Sequence, residues 1–130
     1  MEVVDFDMKY YPYIYKILDE SGIDTKKVLI LDTFVLLNNN LPIGFYTAGK
    51  VEDMYIIAHF YIEPSYRGFE AIYKLVPHLV KRAILLCKYL CFHIIVGTDA
   101  EEFFHSYFRK YKKEKLNSPY NNIEFYKVEV

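Results

Sequence analysis

Apolar side chains at Phe6, Tyr10, Tyr13, Ile14, Ile17 and Leu18 recur three or four residues apart, the spacing of one helical face. They predict an amphipathic helix over residues 6–21. Pro12 places its start close by, because proline suits only a first turn, and Ser21-Gly22 supplies a stop. From Val28 to Leu37 the chain turns β-rich and then breaks at Asn38-Asn39-Asn40. Pro42 leads into a second strand, Ile43–Thr47, with Gly49-Lys50 as its turn, and Met54–Ile62 forms a third. Connections this short cannot hold a crossover helix, so the three strands are expected to form an antiparallel meander.

Beyond Arg67 the period changes. Phe69, Ile72, Tyr73, Val76, Val80, Ala83, Ile84 and Cys87 keep helical spacing, predicting a helix over 67–90 with a kink at Pro77. Leu75, Leu79, Leu86 and Leu90 lie off that face, so this helix is expected to be covered on more than one side. Phe92–Val96 reads as a buried strand and Gly97-Thr98-Asp99 as a turn, with Thr98 or Asp99 capping a helix from Ala100 to about Lys113. Asn117-Ser118-Pro119 ends that helix, and Ile123–Val130 alternates as a last strand. The order α-βββ-α-β-α-β predicts an α/β fold: a mixed, mostly antiparallel sheet flanked by helices, with one right-handed βαβ unit. At 130 residues the chain is expected to form a single domain, 1–130.

Composition narrows the function classes. A hydrophobic fraction of 53% supports a real core. Sixteen basic against 17 acidic residues leave a net charge of −1, which gives no global pull toward nucleic acid. The one basic run, Arg109-Lys110-Tyr111-Lys112-Lys113-Glu114-Lys115, reads as a solvated helix end or a contact for an acidic protein surface. The opening Met1-Glu2-Val3-Val4-Asp5 has no apolar h-region, and no apolar run reaches the ~20 residues of a membrane span. Neither a secretory leader nor a membrane anchor is therefore expected, and the cytoplasm is the expected location. Cys87 and Cys91, four apart on the predicted helix, read as reduced, buried thiols, and no histidine pair completes a metal set with them. His78, His93 and His105 show no metal spacing among themselves, so no metal is expected. Fourteen Tyr and 10 Phe without a Trp, beside frequent Lys, Ile and Asn, match the coding bias of AT-rich genomes, viral ones among them.

Ile62-Glu63-Pro64-Ser65-Tyr66-Arg67-Gly68-Phe69-Glu70-Ala71-Ile72 is the most informative stretch. A strand leaves through a proline, and an arginine-glycine turn opens a long helix whose first N–H groups could cradle a phosphate. This order resembles the acyl-CoA loop of the Gcn5-related N-acetyltransferases, which reads Arg/Gln-x-x-Gly-x-Gly/Ala. Arg67, Gly68, Phe69, Glu70, Ala71 and Ile72 occupy the loop, with Glu70 and Ile72 at the two glycine positions. The element order is also similar to that family's, and Leu41-Pro42 with Val96-Gly97-Thr98 are similar to acetyltransferase-like proteins of tailed phages.

The resemblance implies acetyl-CoA as cofactor, an amine as acceptor and Tyr107 as the acid that reprotonates the departing thiolate. For the base, alternation along the third strand puts Tyr55, Ile57, His59, Tyr61 and Glu63 on one face, and His59 or Glu63 could take the proton. The replaced glycines imply the opposite: a non-catalytic interaction or structural component without a cofactor, in a phage particle or its assembly. Such a component would have a protein partner or form a homo-oligomer, and would occupy host cytoplasm or virion.

Overall fold

The computed structural model describes residues 1–23 and 25–130, without the side chains of Lys27, Val28 and Phe69. In chain order the elements are β1 (Glu2–Asp5), α1 (Tyr11–Glu20), β2 (Asp32–Asn38), β3 (Leu41–Val51), β4 (Met54–Ile62), α2 (Phe69–Leu86), β5 (Tyr89–Ile95), α3 (Asp99–Tyr107), β6 (Lys113–Leu116) and β7 (Ile123–Glu129). Among the described residues the strands make one seven-stranded sheet in the order β1-β2-β3-β4-β5-β7-β6. β4 and β5 pair in parallel, while the β1–β2, β2–β3, β5–β7 and β6–β7 pairs are antiparallel. This is the expected α/β class. The chain divides into two compact units, Met1–Gly49 with Ala58–Leu79, and Lys50–Ile57 with Val80–Val130.

In the first unit, a short 3-10 turn at Met8–Tyr10 leads into α1, and Pro12 sits in the first helical turn as expected. Ile14 and Leu18 of α1 bury against Val35, Leu37 and Phe45, with Phe6, Tyr10, Tyr13, Ile17 and Tyr61 around them. Asn39 and Asn40 both have positive φ, 52° and 66°, the conformation of a two-residue hairpin turn that asparagine tolerates well. A register shift between Leu36 and Leu37 faces Pro42, a residue that a regular ladder would not accept. On α2, Ala71, Leu75, Val76 and Leu79 are buried, and the helix continues through Pro77. His78 packs on Phe34 with 4.6 Å between ring centres and shares a 2.8 Å hydrogen bond with the Tyr46 hydroxyl.

In the second unit, the Asp53 carbonyl accepts from the backbone N–H of both Lys88 and Tyr89, at 2.9 and 3.0 Å. These bonds set the parallel register Met54↔Tyr89, Tyr55↔Leu90, Ile56↔Cys91. Phe104 and Phe108 are buried and meet Phe92 at 5.4 and 5.6 Å, with Tyr126 at 5.0 Å from Phe104.

Several boundaries differ from expectation, each for a local reason. Residues 25–29 form a 3-10 turn, so β2 begins at Asp32 and not at Val28. β3 runs through Gly49-Lys50, and the turn falls at Glu52, where φ is 55°. α2 ends at Leu86, so Cys87 lies past the helix and Cys91 lies on β5; they are not a helical pair. Burial pushes the Cys91 thiol up to about 11. β5 is not wholly buried: His93 is exposed and stacks on Phe125 at 4.3 Å. α3 stops at Tyr107, and the Lys113 ammonium donates to the Phe108 carbonyl at 2.8 Å. The basic run is therefore no helix end: it enters β6, whose Lys113–Leu116 pair with Val128–Phe125. β1 and β6, the two strands missed from sequence, are four-residue edge strands carrying charge, a usual defence of an open sheet edge. Among the described residues no helix is long and apolar enough to cross a membrane.

Gly44 on β3 lies against the backbone of Tyr61 and Ile62 on β4. A Cβ there would lie 2.6 Å from the Tyr61 carbonyl oxygen, a backbone atom that cannot swing aside. Gly44→Ala is expected to cost about 2 kcal/mol, read as a lower urea midpoint at unchanged slope.

Candidate functional site

Most candidate residues of the first unit, Glu63 and the Arg67–Ile72 loop, follow the end of β4, while His59 lies within it. The Glu63 N–H donates to the Ile43 carbonyl at 2.8 Å, pinning the strand's exit to β3. Pro64–Tyr66 form one 3-10 turn, closed by the Tyr66 N–H on the Glu63 carbonyl at 2.8 Å. Arg67 follows with φ −75° and ψ 66°, and the Gly68 N–H donates back to the Tyr66 carbonyl at 2.8 Å. That is an inverse γ-turn, which reverses the chain directly into α2.

The loop side chains take different roles. Arg67 turns back toward β4: its Nε donates to the Ile62 carbonyl at 2.7 Å, and its guanidinium carbon lies 5.6 Å from the centre of the Tyr61 ring. Gly68 is exposed, and an added Cβ would meet nothing within 4 Å. Glu70 is exposed in the first turn of α2, where the helix dipole favours a carboxylate. Ala71 is buried, so it can offer a ligand only its backbone N–H, and Ile72 is half-buried. The Phe69 side chain lies outside the described residues.

The two candidate bases belong to separate hydrogen-bond groups. The Tyr13 hydroxyl of α1 donates to Glu63 Oε1 at 3.0 Å, and the Tyr61 hydroxyl reaches Oε2 at 3.5 Å. Burial first, and then the neighbouring carboxylate, raise both phenols above the ordinary tyrosine range. Phe45 supports the pair, its ring centre 6.4 Å from that of Tyr13 and 6.0 Å from that of Tyr61. His59 Nδ1 lies 2.5 Å from the Oγ1 of buried Thr47. Tyr107, the candidate acid, ends α3 in the second unit, half-buried against Phe103 and Phe108 at 5.6 and 4.8 Å. Sequence reasoning missed Tyr13. Its place in a helical apolar stripe reads as core, and only the fold brings it to Glu63, fifty residues away.

No protein-family model and no curated protein matches the sequence. Solved structures do match. Rv2747 of Mycobacterium tuberculosis, solved in complex with CoA, aligns with a TM-score of 0.78 at 12% identity over 100% of this chain and 99% of its own. The PaiA N-acetyltransferase of Thermoplasma acidophilum, in complex with coenzyme A, gives 0.74 at 10% identity, over 99% and 98%. The ribosomal-protein-alanine N-acetyltransferase of Brucella melitensis gives 0.73 at 13% identity over 100% of both chains. The fold is that of the Gcn5-related N-acetyltransferases. Identities this low carry the fold alone, and activity in this GNAT-fold chain rests on its own residues.

Tyr13→Phe removes a hydrogen bond to a carboxylate and is expected to cost about 1–2 kcal/mol at pH 7. A raised phenol pKa gives stability that is full below the unfolded tyrosine value and lost above it. In the unfolded chain Tyr13 ionises near pH ~10 while the folded phenol keeps its proton. Urea titrations should therefore show the gap between native chain and variant narrowing above that pH.

Proposed function

We propose that the chain is an acyl-CoA-dependent N-acyltransferase acting on an amine. The observation that carries this reading is the β4–Pro64–Arg67–Gly68–α2 turn within a GNAT fold. It sets the start of an eighteen-residue helix directly after an exposed arginine-glycine pair. First-turn N–H groups and the positive end of the helix dipole suit a pyrophosphate. Two similar structures that carry coenzyme A support the same cofactor here.

In this mechanism Glu63 or His59 accepts a proton from the substrate ammonium, freeing the nitrogen lone pair. Acetyl-CoA, when bound, would supply the thioester whose acyl group passes to that nitrogen as the thiolate leaves. The sequence resemblance assigns the return of a proton to the departing thiolate to Tyr107. Of the two, Glu63 has its carboxylate oriented by two phenols at the strand's exit, while His59 is held by Thr47.

A second reading has one observation in its favour. Glu70 and Ile72 stand where the family's loop has its glycines, and a carboxylate near a diphosphate repels it. The chain would then be a non-catalytic interaction component with a protein partner or a second copy of itself, with a place in a phage particle resting on the sequence resemblance alone.

Isothermal titration with acetyl-CoA separates the two. The enzyme reading expects saturable micromolar binding, weakened about tenfold in Arg67→Ala and strengthened a few-fold in Glu70→Gln. Flat heats with an unmoved melting temperature favour the interaction component.

A further inference from the structure

α3 and β7 bring together a donor set that acyl transfer does not use. Glu101 and His105 stand four residues apart on α3 and so share a helical face, while Glu124 comes from β7. A carboxylate oxygen from each glutamate and a ring nitrogen of His105 all lie within 4.8 Å of one another. Spacing among the histidines could not reveal this, because the third donor comes from a strand that pairs with β5 and β6.

We propose that Glu101, His105 and Glu124 form a divalent-metal site whose preferred occupant is zinc. One imidazole nitrogen with two carboxylate oxygens is a set that zinc accepts, leaving a position for water or an outside ligand. The imidazole disfavours magnesium and calcium, which select oxygen donors. Donors of a tetrahedral zinc site lie about 3.4 Å apart, so these side chains need close by no more than roughly 1.4 Å. His105 is exposed and both glutamates are half-buried, which leaves their rotamers room to do so.

The surroundings act in both directions. The Tyr126 hydroxyl donates to Glu124 Oε2 and holds that carboxylate in place, as outer partners of metal ligands do. The His105 ring packs edge-on against Tyr126 at 5.3 Å, which places the imidazole beside the same carboxylate. Opposing the ion, Lys115 Nζ lies 3.2 Å from Glu124 Oε1. That lysine is 61% exposed, and a surface pair of this kind is weak enough for a dication to displace. Lys115 is therefore the competitor for the site.

Titration of the full chain with zinc chloride tests this, with circular dichroism to confirm that each variant is folded. The expected result is one zinc per chain, binding lost in His105→Ala and weakened about tenfold in Glu101→Gln. Lys115→Ala should tighten it about threefold. Absence of saturable binding in both the native chain and Lys115→Ala overturns the site. So does zinc binding that either His105→Ala or Glu101→Gln leaves unchanged.

Discussion

A single missing methyl group lets the end of β4 settle where it does. With any side chain at position 44, β3 and the Tyr61 carbonyl would collide at 2.6 Å, and the strands would have to part. Their closeness lets the Glu63 N–H reach the Ile43 carbonyl, which fixes the point where the chain leaves the sheet. The orientation of Glu63, the γ-turn at Arg67 and the start of α2 all follow from that exit. Gly44 itself meets Tyr61 and Ile62, yet the position of Glu63 depends on it.

Around the exit, polar groups are already committed to one another. Arg67 serves the Ile62 carbonyl and the Tyr61 face, and Glu63 takes the Tyr13 and Tyr61 hydroxyls. Meeting a pyrophosphate would exchange the bond from Arg67 to a neutral carbonyl for bonds in which both partners are charged, and these are stronger. That exchange is favourable. Glu70 bears on the same balance from the other side, but its exposure lets the carboxylate turn into water, where screening weakens the repulsion. The loop departs from the family pattern in sequence without presenting a closed surface to a ligand.

The long elements were legible because their signals are long. β4 matches its expected bounds, and α1 and α2 carry strong helical stripes. β1 and β6 were not, because Glu2–Asp5 and Lys113–Leu116 are too short and too charged for an apolar alternation to register. The basic run misled for a related reason. Its lysines suit a helix terminus by charge, whereas the ladder with β7 that defines them is non-local. The same limit applies to the site. Arg67, Gly68 and Glu70 are contiguous and could be read directly, but the Tyr13–Glu63 contact and the Glu101–His105–Glu124 group join distant segments. Spacing along the chain shows the Glu101–His105 pair but neither its approach to Glu124 nor the Tyr13–Glu63 contact.

The abundance of tyrosine becomes intelligible once each hydroxyl is followed. Tyr46 and Tyr55 are fully buried and fill core volume, and Tyr46 also satisfies its hydroxyl on His78. Tyr126 packs in the aromatic cluster of the second unit and holds Glu124. A buried phenol is tolerated only where its polar end finds a partner, so a tyrosine-rich core draws histidines and carboxylates inward as acceptors. In this chain those acceptors are the groups with chemistry to offer. Glu63 is oriented by Tyr13 and Tyr61, and Glu124 by Tyr126. The tyrosines that fill the core thus also pre-position the carboxylates at its margin, and packing and site geometry in this fold have a common physical origin.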